Sequence, residues 1–102
     1  MPVHVLIDFP ISAEQNDALL AERPELIEPI GKLLVKHGAL SHARLKGEGR
    51  YIDIDVFPSR EVYHAFKAEA QPYIDAYEGA LGVRSVDTIW ELTDEIDLTT
   101  LS

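Results

Sequence analysis

The feature that most constrains the fold is the order in which two hydrophobic periodicities follow one another along the chain. Apolar residues recur at every second position in residues 3–9, 41–46, 50–57 and 86–92, the pattern of a β-strand with one buried face. The alternation is clearest in residues 50–57 and weakest in residues 41–46. Residues 47–49 contain two glycines and join these two segments as a hairpin. The sequence therefore predicts four strands, two of them in a hairpin.

Two helical segments separate these strands. Ser12 and Gln15 have the spacing of a capping box, in which side chains bind amides left free at a helix start. The first helical segment contains Pro24, which lacks an amide donor, so we expect a break there and two helical pieces. The second segment follows Ser59, a typical N-cap residue, and we expect it to end at the glycines of residues 79–82.

The predicted order is strand, helix, strand, strand, helix, strand. It is typical of an α+β domain of ferredoxin-like βαββαβ topology, with a four-stranded antiparallel sheet and both helices on one face. We expect the other face to be partly apolar and partly acidic, and the residues assigned to it are His4, Leu6, Asp8, Tyr51, Asp53, Asp55 and Phe57. A second subunit that closes a shared barrel would cover such a face, so a homodimer or larger oligomer is predicted. Residues 1–92 form this domain, and the acidic residues 93–102 are either a solvated tail or an arm that spans to another subunit.

Composition excludes several classes of protein. A chain of 102 residues has room for one core. The absence of cysteine excludes disulfides and thiolate chemistry, and a net charge of −9 with scattered Lys and Arg disfavours nucleic acid as a partner. No apolar stretch approaches the roughly 20 residues of a membrane span, and the first residues lack a signal-peptide pattern. We therefore expect no membrane partner and a cytoplasmic location.

Several short motifs resemble a known family. Residues 58–64, PSREVYH, are similar to the P-S-x-E-x-x-H helix start of the muconolactone isomerases, which are dimeric α/β-barrel proteins. The resemblance extends to His4-Val5, Glu25-Leu26, His42, Gly49, Tyr51 and the segment PYID at residues 72–75. It implies a cofactor-independent 1,3-proton shift in an unsaturated lactone, as in the catabolism of aromatic compounds, within a symmetric oligomer.

A proton shift next to a carbonyl needs a base, an acid and a donor that stabilises the enolate oxygen. Glutamates near the predicted helix break can turn toward a pocket between helix and sheet. A histidine two residues from an arginine on one strand shares its face, so the arginine can hold a substrate carboxylate there. The predicted catalytic residues are Glu22, Glu25, His42, Tyr51 and His64, and the predicted substrate-binding residues are Arg44 and Trp90.

Each of these residue types also occurs for structural reasons. The sequence alone does not distinguish a catalytic histidine from one that is hydrogen-bonded locally in a hairpin. The same holds for a tyrosine in a barrel wall and for glutamates on the solvated face of a helix. Metal-binding spacings such as H-x-x-x-H are absent, and Asp53 with Asp55 is too small a set to hold a divalent ion. We therefore predict neither a metal nor a cofactor.

Three functions remain open at this point. The first is an isomerase of the kind described above. The second is a cofactor-free monooxygenase or polyketide cyclase, in which Tyr51 and Trp90 stack on a polycyclic substrate. The third is a non-catalytic ligand-binding or assembly module. A closed apolar cavity with converging polar groups favours an enzyme, whereas a filled core favours the module.

Overall fold

The computed structural model describes residues 1–101. In chain order its elements are strand β1 (Val3–Phe9), helix α1 (Ala13–Glu22), a 3-10 turn (Pro24–Leu26), helix α2 (Glu28–Lys36), strands β2 (Ser41–Lys46) and β3 (Tyr51–Phe57), helix α3 (Arg60–Leu81), strand β4 (Val86–Glu91) and a 3-10 turn (Leu98–Thr100). The sheet order is β2-β3-β1-β4, and all three strand pairings are antiparallel. The predicted ferredoxin-like α+β fold is confirmed.

Local sequence signals account for the helix ends. The Ser12 hydroxyl accepts from the amide of Gln15 at 3.1 Å, and the Gln15 side chain accepts from the amide of Ser12, so the capping box is confirmed. The chain leaves α-helical geometry at Arg23, directly before Pro24, and a 3-10 turn then separates α1 from α2 as predicted. At the start of α3, the Ser59 hydroxyl accepts from an amide of the first turn, and α3 ends at Gly82 with a φ of +79°.

The core lies between one face of the sheet and the helices. Strands β1 and β3 contribute Val3, Val5, Phe9, Tyr51 and Phe57, and α3 contributes Tyr63, Phe66, Ala70 and Tyr77. Phe9 stacks on Tyr51 with ring centroids 4.6 Å apart, and Phe57 packs against both Tyr63 and Phe66. This aromatic packing holds α3 across the middle of the sheet.

The strand register corrects one prediction about the sheet faces. Val5 pairs with Asp55 and Phe9 pairs with Tyr51, so the odd-numbered residues of both strands point toward the helices. The prediction that Tyr51, Asp53, Asp55 and Phe57 share the free face with His4, Leu6 and Asp8 is wrong. Both faces of β3 carry large apolar side chains, so its alternation alone does not identify the buried one. The aromatic rings are the ones that fill the space beneath the helices.

The face turned away from the helices is consequently more apolar than predicted. We call it the outer face; its apolar residues are Leu6, Ala43, Leu45, Ile52, Ile54, Val56, Val86 and Trp90. Several of them are well exposed in the single chain, including Val86 at 63 % and Trp90 at 57 %. A continuous exposed apolar surface of this kind is typical of an interaction site.

Residues 93–101 extend beyond the last strand. They form only the short turn at Leu98–Thr100, and their apolar side chains Ile96, Leu98 and Leu101 are exposed. The division into a domain of residues 1–92 and a tail or arm of residues 93–102 stays a prediction. Within residues 1–101, no helix has the length and apolarity needed to cross a membrane.

Candidate functional site

A cavity of about 240 Å³ lies between the sheet and the helices. Its apolar lining comes from β1 (Ile7, Phe9), from α1, α2 and the segment between them (Leu20, Ile27, Ile30, Leu34) and from α3 (Phe66, Ile74). Its polar lining is His42, Arg44, Asp53, Asp55, Tyr63, Lys67, Tyr77, Glu78, Ser85 and Asp87. The core is therefore not filled, and the polar groups converge on an apolar space.

One wall of the cavity carries a histidine–carboxylate pair. The register of β2 and β3 places His42 opposite Asp55, and the His42 Nδ1 lies 2.5 Å from the Asp55 Oδ1. Asp55 is buried, whereas the His42 side chain is about half exposed. The hydrogen bond to Asp55 raises the pKa of His42, although partial burial acts in the opposite direction. The pair orients the imidazole ring and leaves its Nε2 for exchange with a ligand.

The second carboxylate of this wall, Asp53, has an oxygen without a hydrogen-bond partner. Within residues 1–101, the buried Oδ1 accepts no hydrogen bond, and the nearest cation is the Arg44 Nε at 3.7 Å. Burial raises the pKa of Asp53 to about 6, with the charge of Asp55 acting in the same direction and those of His42 and Arg44 opposing it. Asp53 is thus a poorly solvated carboxylate at the edge of an apolar space.

Arg44 is already engaged by the protein. Its Nη1 donates to Asp17 at 2.8 Å, and its guanidinium lies 5.1 Å from the centre of the Tyr51 ring. The hydrogen bond to Asp17 raises the pKa of Arg44 and holds the side chain beside Asp53. Arg44 therefore closes this part of the cavity wall, and its charge opposes the rise in the pKa of Asp53.

On the opposite wall, Asp87 accepts two hydrogen bonds at one oxygen. The Tyr63 hydroxyl donates to Asp87 Oδ2 at 2.6 Å, and the Lys67 Nζ donates to the same atom at 2.8 Å. Burial and the bond to Asp87 raise the pKa of Tyr63, which stays a neutral donor. This cluster joins α3 to β4 across the cavity from His42.

A chain of hydrogen bonds closes the end of the cavity near Phe9. The Tyr77 hydroxyl donates to the buried Asn16 carbonyl oxygen, and the Tyr51 hydroxyl lies 3.0 Å from the Tyr77 hydroxyl. Because Tyr77 uses its proton on Asn16, Tyr51 donates to Tyr77. Burial raises the pKa of Tyr51, so this hydroxyl is a structural donor and not a source of protons at neutral pH.

The structure brings together only part of the predicted site. His42 and Arg44 line the cavity, and Tyr51 lies behind its wall with its hydroxyl turned to Tyr77. The other predicted residues contact neither the cavity nor one another: Glu22 and Glu25 are exposed, Glu25 pairing with Arg23; His64 is exposed on α3; and Trp90 lies on the outer face. Their catalytic or binding roles stay predictions.

The sequence interpretation did not select the carboxylates of the cavity. Asp53 and Asp55 alternate with isoleucines in a strand that is otherwise apolar, which is the signal that marks them as unusual. Lys67, Tyr63 and Asp87 carry no such signal, because they meet only when α3 lies across β4. In the part of the chain that the structure describes, no three His, Asp or Glu side chains are arranged to hold a metal ion.

Comparison with known proteins identifies the fold. No family model matches the chain, and no curated protein does either. Among solved structures, a mutant of SnoaB, a cofactor-independent oxygenase from Streptomyces nogalater, superposes with a TM-score of 0.69 at 14 % identity, over 93 % of this chain and 96 % of that one. The chain has the ferredoxin-like fold of dimeric α/β-barrel proteins.

Two further structures agree with this assignment. A candidate antibiotic biosynthesis monooxygenase from Deinococcus radiodurans has a TM-score of 0.67 at 20 % identity, over 94 % of this chain and 97 % of that one. A dimeric ferredoxin-like protein from an uncultured marine organism has a TM-score of 0.68 at 9 % identity, over 93 % and 97 % of the two chains. These comparisons do not show the closer resemblance to muconolactone isomerase.

Proposed function

We propose that this protein is a small-molecule enzyme, a cofactor-independent monooxygenase that removes a proton from a carbon acid and passes the resulting carbanion to dioxygen. The observation that supports it best is the Asp53 carboxylate, which lines an apolar cavity beside the His42–Asp55 pair and has one fully buried oxygen without a donor among residues 1–101. A carboxylate that water solvates poorly is a stronger base than one at the surface.

Asp53 suits the role of the base. With a pKa of about 6 it is ionised at neutral pH and still binds a proton more tightly than an ordinary carboxylate. The His42 ring lies on the same wall and is oriented by Asp55. It can donate a proton to the peroxide that forms when oxygen is added. The apolar lining on the other side fits the body of a hydrophobic substrate.

The reaction balances with dioxygen as the only co-reactant. The base takes a proton from a methylene group activated by a carbonyl, and the carbanion transfers one electron to dioxygen. The substrate radical and superoxide then combine to form a carbon–oxygen bond, and the peroxide takes up a proton. Loss of water breaks the oxygen–oxygen bond and the second carbon–hydrogen bond, so that a methylene group and dioxygen become a carbonyl group and water.

The structural neighbours favour the oxygenase over the isomerase. Both reactions begin with the same proton abstraction and differ in whether the carbanion meets dioxygen or a new proton. SnoaB is described as a cofactor-independent oxygenase, and the protein from Deinococcus radiodurans as a candidate monooxygenase. Proton shift within a lactone stays the second candidate because it needs no group beyond the base and acid already present.

We also propose that the active form is a homodimer that buries the outer face. Leu6, Ile54 and Trp90 lie on that face with no helix above them. Two neighbouring structures, both from uncultured marine organisms, are described as dimeric ferredoxin-like proteins. Pairing two such faces removes the exposed apolar surface from water.

The test uses anthrone, a three-ring ketone whose methylene group is acidic and whose oxidation requires only dioxygen. We expect oxygen uptake and anthraquinone formation in equal amounts, above the background rate in buffer. Asp53→Asn should lower the rate at least about 100-fold, whereas Asp94→Asn in the exposed terminal segment should leave it unchanged.

A second measurement separates the candidate functions. Without oxygen, the protein should catalyse exchange of the anthrone methylene protons for deuterium in D₂O. Exchange without oxygen uptake would overturn the oxygenase step and favour an isomerase. Absence of both would overturn the enzyme and favour a ligand-binding module.

A further inference from the structure

Two acidic residues flank the centre of the cavity floor. Ile7 on β1 pairs with Asp53 on one side and with Asp87 on the other, so the three residues form one row across the sheet. Neighbouring strands lie about 4.8 Å apart, which separates the Asp53 and Asp87 backbones by roughly 10 Å. A molecule lying on Ile7 therefore has a polar wall at each end.

The two walls differ in chemical character. At Asp53 the cavity is lined by a poorly solvated carboxylate, one oxygen of which is fully buried without a donor among residues 1–101, and such a group accepts a proton. At Asp87 it offers the Lys67 ammonium, which donates one proton to Asp87 Oδ2 and keeps two for other acceptors. The wall near β4 is thus suited to an oxygen atom of a ligand, and the wall near β3 to a hydrogen atom.

Lys67 is the group on the β4 wall with donors to spare. An ammonium group has three protons, and within residues 1–101 the only hydrogen bond of Lys67 is the one to Asp87. The side chain is 28 % exposed and lines the cavity, so its remaining protons lie at an apolar space. Arg44 also lines the cavity, but it is held by Asp17 and lies beside Asp53, across the cavity from Lys67.

We propose that Lys67 binds the carbonyl oxygen of the substrate, so that the substrate lies across Ile7 with its acidic carbon at Asp53. This assignment rests on the proposed function and specifies how its substrate is held. The Lys67 ammonium stabilises the negative charge that reaches the oxygen when the carbon loses its proton. Asp87 and Tyr63 are positioning residues, which fix the ammonium without touching the substrate.

The charges of the cavity argue against an anionic substrate. Its lining contains four acidic residues, Asp53, Asp55, Glu78 and Asp87, against the two cations Arg44 and Lys67. Even with His42 protonated, four negative charges against three positive ones leave an excess of one when every carboxyl is ionised. In a space of low dielectric constant this excess repels a carboxylate. A neutral ketone at Lys67 fits this lining better, and the role of Arg44 as the holder of a substrate carboxylate stays a prediction.

The test measures binding of chromone, a flat ketone with no acidic methylene group, so turnover does not enter. Lys67→Met should weaken chromone binding about tenfold, as expected for loss of a hydrogen bond from a charged donor. The affinity for chroman, which lacks the carbonyl, should stay the same. Lys67→Arg should restore most of the chromone affinity, and Lys32→Met, which alters an exposed lysine of α2, should have no effect.

A spectroscopic signature distinguishes a direct contact from a structural effect. The ¹³C resonance of the chromone carbonyl should move downfield on binding and lose that shift in Lys67→Met. Equal chromone affinity in Lys67→Met and the unmodified protein, or tighter binding of chromone-2-carboxylate than of chromone, would overturn the proposal. If anthrone is not oxidised but chromone binding depends on Lys67, the proposed function fails while the ketone site stands.

Discussion

His42 and Asp55 lie opposite each other on adjacent antiparallel strands, and their side chains meet at 2.5 Å on the face that lines the cavity. Asp55 is one of the few buried charged residues, and a buried carboxylate needs a donor to compensate its lost hydration. His42 supplies that donor at the cavity wall. Protonation of His42, which can contact a ligand, therefore also affects how well Asp55 is tolerated in the buried strand β3.

The first prediction concerns the pKa of His42. The hydrogen bond to Asp55 raises this pKa above 6.5, so Asp55→Asn should lower it because the imidazolium loses its anionic partner. NMR titration of the imidazole resonances measures the change. Asp94→Asn, which alters a distant exposed carboxylate, is the matched control. A His42 pKa that is the same in Asp55→Asn would contradict the pairing.

The second prediction follows from the pKa of Asp53, which burial raises from 3.8 in the unfolded chain to about 6 in the folded one. Between these values the folded state binds more protons, so stability falls as the pH rises through this window. Asp53→Asn removes the buried charge and should stabilise the protein by up to about 3 kcal/mol at neutral pH.

Urea denaturation of both proteins across this range measures that effect. The advantage of Asp53→Asn should shrink toward zero as the pH falls below 3.8, where the carboxyl is protonated in both the folded and the unfolded state. A variant that is less stable at neutral pH, or a difference independent of pH, would show that the Asp53 carboxylate is well solvated.

The third prediction concerns the acid limb of catalysis. If Asp53 is the base, kcat/KM for anthrone rises with pH and levels off above about 6, as the free carboxyl loses its proton. Steady-state rates over this range give the profile. If the residual activity of Asp53→Asn shows the same fall at low pH, the titrating group is not Asp53.

The fourth prediction compares two buried hydroxyls. Tyr77→Phe leaves the Asn16 oxygen, fully buried, without its donor and should cost about 1–3 kcal/mol. Tyr51→Phe removes a donor from Tyr77 but orphans no carbonyl, and should cost less, about 0.5–1.5 kcal/mol. Both free energies of unfolding come from urea denaturation. Equal costs would contradict the assignment of Tyr77 as the donor to Asn16.

The fifth prediction concerns the proposed homodimer. Ile54→Asp places a charge in the middle of the outer face and should convert the dimer to a monomer in light-scattering measurements. Val35→Asp introduces the same charge at an exposed apolar residue of α2 and should leave the dimer intact. Circular dichroism confirms that both variants fold. If the unmodified protein is a monomer at micromolar concentration, the proposed homodimer is wrong.

Much of the architecture was predictable because it depends on local chemistry. The capping box at Ser12, the break at Pro24 and the cap at Ser59 each act within a few residues, and the structure confirms all three. Alternation located the four strands for the same reason. The buried face of β3 could not be predicted, because both of its faces carry large apolar side chains. Ile52 and Ile54 lie on one face, and Tyr51 and Phe57 lie on the other.

The candidate site was predictable only where its residues are close in sequence. His42 and Arg44, two residues apart on one strand, both line the cavity as a pair with a shared direction would. Glu22 and Glu25 were selected because they flank the helix break, yet that break turns them to solvent. Lys67 and Asp87 meet through the packing of α3 on β4, which no local pattern encodes.

The order of strands and helices follows from the amino-acid sequence alone, since periodicity and capping are properties of short segments. The chemistry of the cavity depends instead on how these elements pack. Strand register chose which carboxylates face the helices, and helix packing placed Lys67 across Ile7 from Asp53. The physical reason is that burial and pairing of a charge depend on residues distant in the chain, whereas the start of a helix depends on its neighbours.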